Sequence, residues 1–115
     1  MVNPKRGEMT LQMGQQKFSV KITMDVIMRI ESSVGRGVLK VAQQLSEGDM
    51  SATNMVAILT PILRTSGKDY SEKDVANLIW ENGFSEGLKA VAEVIAYIIS
   101  GGTPMGNEAE EVQAT

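Results

Sequence analysis

Residues 85–100 read SEGLKAVAEVIAYIIS, and no other segment of the chain gathers so many apolar side chains that only burial can satisfy. On a 3.6-residue repeat Leu88, Val91, Ala92, Ile95, Ile98 and Ile99 recur at i, i+3, i+4, i+7, i+10 and i+11, and Val94 widens the stripe. Glu86, Lys89 and Glu93 share the opposite side, at spacings that favour Glu–Lys contacts in water. A stripe this wide is more than a lone surface helix needs. It predicts the central helix of a small bundle, with the remaining helices wrapped round it. A membrane span is the rival reading, but Lys89 and Glu93 interrupt a run already shorter than the roughly 18 apolar residues a span requires.

The rest of the chain sets the bounds. Its 115 residues suit one domain with a modest core, and 43% apolar with 22% charged residues is ordinary for a globular fold. Cysteine and histidine are absent, which removes disulfides, thiolate chemistry and the usual zinc ligands. The opening MVNPKRGEM carries charge without an apolar core segment, so no signal peptide is expected. The net charge of -3 is unevenly placed, with Lys5, Arg6, Lys17 and Lys21 near the start and Glu108, Glu110 and Glu111 near the end. A nucleic-acid binder concentrates basic charge on one face, and this chain does not.

Working outward from the last helix, the N-terminal part alternates. Met9, Leu11 and Met13 oppose Glu8, Thr10 and Gln12, and Phe18, Val20 and Ile22 oppose Lys17, Ser19 and Lys21, so both segments read as half-buried strands. A two-residue Gly14-Gln15 turn places Leu11 opposite Phe18 and Met9 opposite Val20, making the apolar faces coincide. A three-residue loop spoils that match. The hairpin must then dock on helices or pair through an open edge, because two strands alone are marginal in water.

Thr23 caps a first helix whose stripe is Met24, Ile27, Met28 and Val34, and Gly35-Arg36-Gly37 breaks the chain. Val38, Val41, Ala42 and Leu45 continue in a second helix that stops at Gly48. Ser51 caps a third, with Met50 and Met55 placed as a hydrophobic staple. Its stripe is Met55, Ile58, Leu59, Ile62 and Leu63, with a kink or early end expected at Pro61. Ser71 and Asp74 form a capping box for a fourth helix carrying Val75, Leu78, Ile79 and Trp80, closed by Asn82-Gly83. The predicted fold is mainly α: a bundle of about five helices with an N-terminal two-stranded antiparallel hairpin. Residues 8–100 form the domain, 1–7 a flexible leader and 101–115 a disordered acidic tail.

Chemistry is hard to find. Without histidine or cysteine no nucleophile–base pair is evident, and the carboxylates fall at helix starts or solvent faces. Gly35-x-Gly37 beside Ser32-Ser33 lacks the Lys-Ser/Thr of a phosphate loop and the longer dinucleotide fingerprint, so it reads as a helix break. The sequence calls for no enzyme activity, cofactor or metal. Eight methionines are suggestive, since flexible thioether side chains accommodate varied partners. Met24 and Met28 are read as core. Met9, Met13 and Met50, near strand ends or a helix entry, join Trp80 and Tyr97 as candidate partner-binding residues, with Tyr97 expected partly exposed near Glu93.

The order of these parts carries a resemblance. A basic leader with RGE, an alternating hairpin, and KITMDVIMRIESSVGRGVLKVAQQL followed by SATNMVAILTPILRTSG and SEKDVANLIWENG is similar to the small tail assembly chaperones of long-tailed phages, in the group shared with gene transfer agents. The matching features are Ile30-Glu31 before a glycine, the VAQQL helix, the Ser-capped helix reaching a Gly-containing loop, and the helix ending in Asn82-Gly83. They span nearly all of residues 6 to 100. The resemblance implies a non-enzymatic chaperone in the cytoplasm of a phage- or prophage-bearing bacterium. It implies binding to the tape measure protein during tail building, a homo-oligomer, and no place in the finished tail. Alternatives are a structural tail component, such as a tube or completion subunit, and a small regulatory nucleic-acid-binding domain.

Overall fold

The computed structural model describes residues 7–101. The expected leader and acidic tail lie outside the described residues apart from Gly7 and Gly101. Strands β1 (Glu8–Met13) and β2 (Gln16–Lys21) are followed by helices α1 (Met24–Val34), α2 (Val38–Ser46), α3 (Ala52–Arg64), α4 (Glu72–Asn82) and α5 (Phe84–Ile99). The architecture is the expected one, a small helical body with an N-terminal hairpin.

The hairpin keeps the register set by its alternation: Leu11 faces Phe18, Met9 faces Val20 and Met13 faces Gln16. Leu11, Met13, Phe18 and Val20 point into the core, and the lysines Lys17 and Lys21 lie on the outer, solvent side. Gly14 turns the chain at φ +64°, a conformation that costs an L side chain strain, and a Cβ there would collide with the Asn82 amide oxygen.

The helix punctuation follows local chemistry. Thr23 Oγ1 accepts from Val26 N at 3.2 Å, Ser51 Oγ from Asn54 N at 3.1 Å, and Ser71 and Asp74 exchange both bonds of a capping box. Gly35, at φ +81°, ends α1. Its neighbour α2 starts at Gly37 without a side-chain cap of its own, and the Glu31 carboxylate fills that role by accepting from Val38 N at 2.9 Å. One carboxylate thus holds the corner between two helices.

Two expectations about helix faces are corrected. Met24 and Met28 are 68% and 60% exposed, and α1 instead buries Val26 and Ile30, with Ile27 and Val34 half-buried. Either reading of α1 gives an acceptable helical stripe. The β-branched pair Val26/Ile30, one turn apart, is the one turned towards α3, and the longer thioethers are left outside. The centre of the bundle is also not α5 alone. Helix α3 touches α1, α4, α5 and β2, and Met55, Ile58, Leu59, Ile62 and Leu63 are all fully buried. Pro61 does not end α3, which runs three residues further. The nearby Thr60 hydroxyl is buried but satisfied, donating to Val56 O at 2.7 Å.

Replacing Gly14 with Ala should destabilise the fold by about 1–3 kcal/mol, through strain at positive φ and the Asn82 clash. Urea unfolding of G14A against wild type measures it, and an unchanged midpoint would show that the turn does not hold this conformation.

Candidate interaction site

A two-stranded ribbon needs fastening, and the far end of the chain supplies it. The Tyr97 hydroxyl accepts from Gly7 N at 3.1 Å and donates to Glu8 O at 3.0 Å, closing the open end of the hairpin. At the turn, Glu86 accepts from Gly14 N at 3.0 Å, and Asn82 Nδ2 donates to Gln16 Oε1 at 2.9 Å and to Leu78 O at 3.0 Å. On the other edge Lys21 N donates to Thr65 Oγ1 at 2.8 Å. Phe18 meets Tyr70 edge to face with ring centroids 6.2 Å apart, tying the ribbon to the loop before α4.

These contacts decide the fate of the candidate residues. Tyr97 is only 4% exposed, which corrects the expectation of a half-exposed ring near Glu93: its hydroxyl is committed to the hairpin backbone. Met13 is fully buried beside the turn and offers no surface, while Met9 is half-buried against the core. Trp80 is 84% exposed, on the solvent side of α4. Met50 is half-buried and lines a cleft. The structure does not bring the five together: Trp80 is exposed, Met9 and Met50 are half-buried on separate parts of the fold, and Met13 and Tyr97 are buried.

No motif in the sequence announces the cleft itself. It lies between α2 and α5, has a volume of about 760 Å³, and is walled by Ala42, Leu45 and Met50 on one side and Leu88, Ala92 and Ile99 on the other. Phe84, 51% exposed, stands at its mouth. Helix α5 packs its core with Gly87, Ala90, Val91, Val94, Ile95 and Tyr97, so the residues read first as its stripe are divided. Val91 and Ile95 face the core, while Leu88, Ala92 and Ile99 line the cleft. Gly87 makes the core side possible: a Cβ there would come within 2.6 Å of Met55 Cε and 2.9 Å of Ile79 Cγ2. The signal that could have revealed the cleft was the width of the apolar arc, more than one core can cover.

Among the described residues no three His, Cys, Asp or Glu side chains converge as a metal site would require, and no helix is long and apolar enough to cross a membrane. Two carboxylates are displaced downward from their ordinary range. Glu86 is held low by the Gly14 N–H and then by Lys89, at 3.3 Å, and Asp74 by its bonds with Ser71. Both are structural.

Five helices and a docked two-stranded ribbon define a small, mainly α domain with an apolar cleft between α2 and α5. More particularly, the chain belongs to the family described as phage tail tube protein, GTA-gp10, which matches residues 6–101. It is a phage or gene-transfer-agent tail protein, as the resemblance implied at that level. No curated protein and no solved structure matches the chain significantly.

Tyr97→Phe removes both hydroxyl bonds and leaves the Gly7 N–H and Glu8 carbonyl unpaired, so it should cost about 1–3 kcal/mol, read by thermal or urea unfolding. Trp80→Ala should change stability by less than about 0.5 kcal/mol. Because the folded pKa of Glu86 lies below its ordinary value of 4.5, its contribution to stability is fully present above that value and is lost as pH falls through the folded pKa. Melting curves between about pH 6 and pH 2 should therefore fall more steeply for wild type than for Glu86→Gln; parallel curves would remove the Gly14 bond from the account.

Proposed function

We propose that the chain serves the phage tail as a structural component, part of the tube or of its completion. The observation carrying this reading is the family match over residues 6–101, whose description is a tail tube protein. The helical body, its capped helices and its doubly fastened ribbon suit a subunit that must keep its shape within an assembly. Neither this reading nor the one that follows calls for catalysis or a cofactor.

A second reading is favoured by one feature of the geometry. A hairpin of two strands, fastened at both ends, is little material for the wall of a ring, and the α2–α5 cleft leaves apolar surface open. On this reading the chain is a tail assembly chaperone that binds the tape measure protein in the cytoplasm of the bacterial host and departs before the tail is finished. Met50 and Trp80 are then contact residues still accessible for that task.

Purified particles separate the two. A structural component should be recovered in them in fixed proportion to the other tail proteins. Its absence, together with a soluble complex when the chain is co-expressed with the tape measure reading frame, would replace the first reading by the second. Absence from particles with no such complex would overturn both.

A further inference from the structure

The outer edge of β1 is only half closed. Ile22 N donates to Gly7 O, and the register then makes Met9, Leu11 and Met13 the residues whose backbone bonds to β2. The alternate residues Glu8, Thr10, Gln12 and, just past the strand, Gly14 turn their N–H and C=O groups away from β2. Two of these outward groups are taken by α5, the Glu8 carbonyl by Tyr97 and the Gly14 N–H by Glu86. Helix α5 therefore runs alongside this edge and is fastened to it at both ends. Between the fastenings, no hydrogen bond from the described residues reaches the backbone of Thr10 or Gln12. Both residues are exposed, and beside them lies a groove of about 540 Å³ walled by Gln12, Glu86, Lys89, Ala92, Glu93 and Ala96. The other edge is guarded. On β2 the outward positions are Lys17, Ser19 and Lys21, where lysines discourage a further strand and Lys21 N already donates to Thr65.

We propose that the groove between β1 and α5 takes one extended segment of another protein as a third strand, paired through the free backbone groups of Thr10 and Gln12. Such a site serves a subunit kept in the tail and a chaperone alike. The groove also sets the chemistry of the segment. Side chains on the strand's inner face land on the small Ala92 and Ala96, where compact β-branched residues fit. Glu86 is paired with Lys89 at 3.3 Å, whereas Glu93 has no ion-pair partner among the described residues, so a Lys or Arg on the segment completes the groove. A second copy is a poorer occupant, because its own β1 edge is flanked by its own α5. The chain's residues 102–115 are poorer still, since Glu108, Glu110 and Glu111 would bring like charge to Glu93.

The test uses the full chain and the synthetic peptide acetyl-Thr-Val-Lys-Val-Thr-amide, followed by NMR. The peptide should move the Thr10 and Gln12 amide resonances downfield and slow their exchange, with a Kd of about 1 mM or lower. The same peptide N-methylated at the residues that face β1 should bind at least about tenfold more weakly, having lost its donors. Exchanging its Lys for Glu should also weaken it, and Glu93→Lys should reverse that preference. Thr10→Pro removes one outward N–H and leaves the ladder intact, a change that an edge strand tolerates, and it should weaken binding as much as N-methylation does. Ser19→Pro, directly opposite on β2, should not. Should Thr10→Pro fail to fold, the N-methylated peptide decides, since it leaves the chain unaltered. Resonances of Thr10 and Gln12 that stay still at millimolar peptide overturn the proposal, as does equal binding of the N-methylated peptide. So do shifts centred on Leu45 and Ile99, which would place the peptide in the α2–α5 cleft. Thr10 and Gln12 amides already protected in the free chain would show the edge covered by the molecule itself or by a second copy, and overturn it equally.

Discussion

The constraint on which this structure depends is that two β-strands cannot bury their own apolar face. Leu11, Met13, Phe18 and Val20 need a floor, and they find it against α3 and α5. The hydrogen bonds of Tyr97, Glu86, Asn82 and Thr65 then fix where the ribbon lies, since apolar contact alone has no direction. Polar side chains that look ordinary in a linear reading therefore set the geometry of the N-terminal part of the domain. Removing any of them leaves a polar group without its partner at a packed edge, which is why they matter beyond the small energy of one bond.

The fold was legible where periodicity and local chemistry agree. The hairpin register follows from alternation on two strands and a glycine-first turn, and the caps at Thr23, Ser51 and Ser71 announce their helices by residue type alone. What could not be read was which apolar face wins when a helix has two. In α1 the thioethers Met24 and Met28 compete with Val26 and Ile30, and in α5 Leu88 and Ile99 compete with Val94 and Tyr97. Periodicity gives the angle between such residues but not the direction in which the neighbouring helix lies. Tyr97 was misplaced for a related reason. Its nearest charged neighbour in sequence suggested solvent, whereas its partner was a backbone ninety positions away.

The candidate site was less legible than the fold. A surface that works by contact has no spacing rule comparable to that of a metal or a phosphate loop, so composition pointed to methionine and aromatics without saying which. Two of the five residues singled out are buried within the structure itself, Met13 in the hairpin and Tyr97 in its fastening. The cleft is built instead from leucine, isoleucine and alanine, residues that attract no notice because they are commonest in cores. The family match makes the chain a phage or gene-transfer-agent tail protein, and no residue of the cleft pointed to that family on its own.

The fastening of the first strand by the last helix bears on the order in which the molecule comes together. Gly7 leaves the ribosome before any other described residue, yet its hydroxyl partner is ninety positions later, so the first described segment is among the last to be secured. Until α5 exists, β1 with Leu11 and Met13 lacks its part of the floor, and only β2 can rest on α3. Closure between such distant positions is slow compared with local helix formation. The nascent chain therefore passes through an interval in which its helices can be formed while its hairpin is still sticky, and crowding of many copies on one message would make that interval the point most exposed to misassembly.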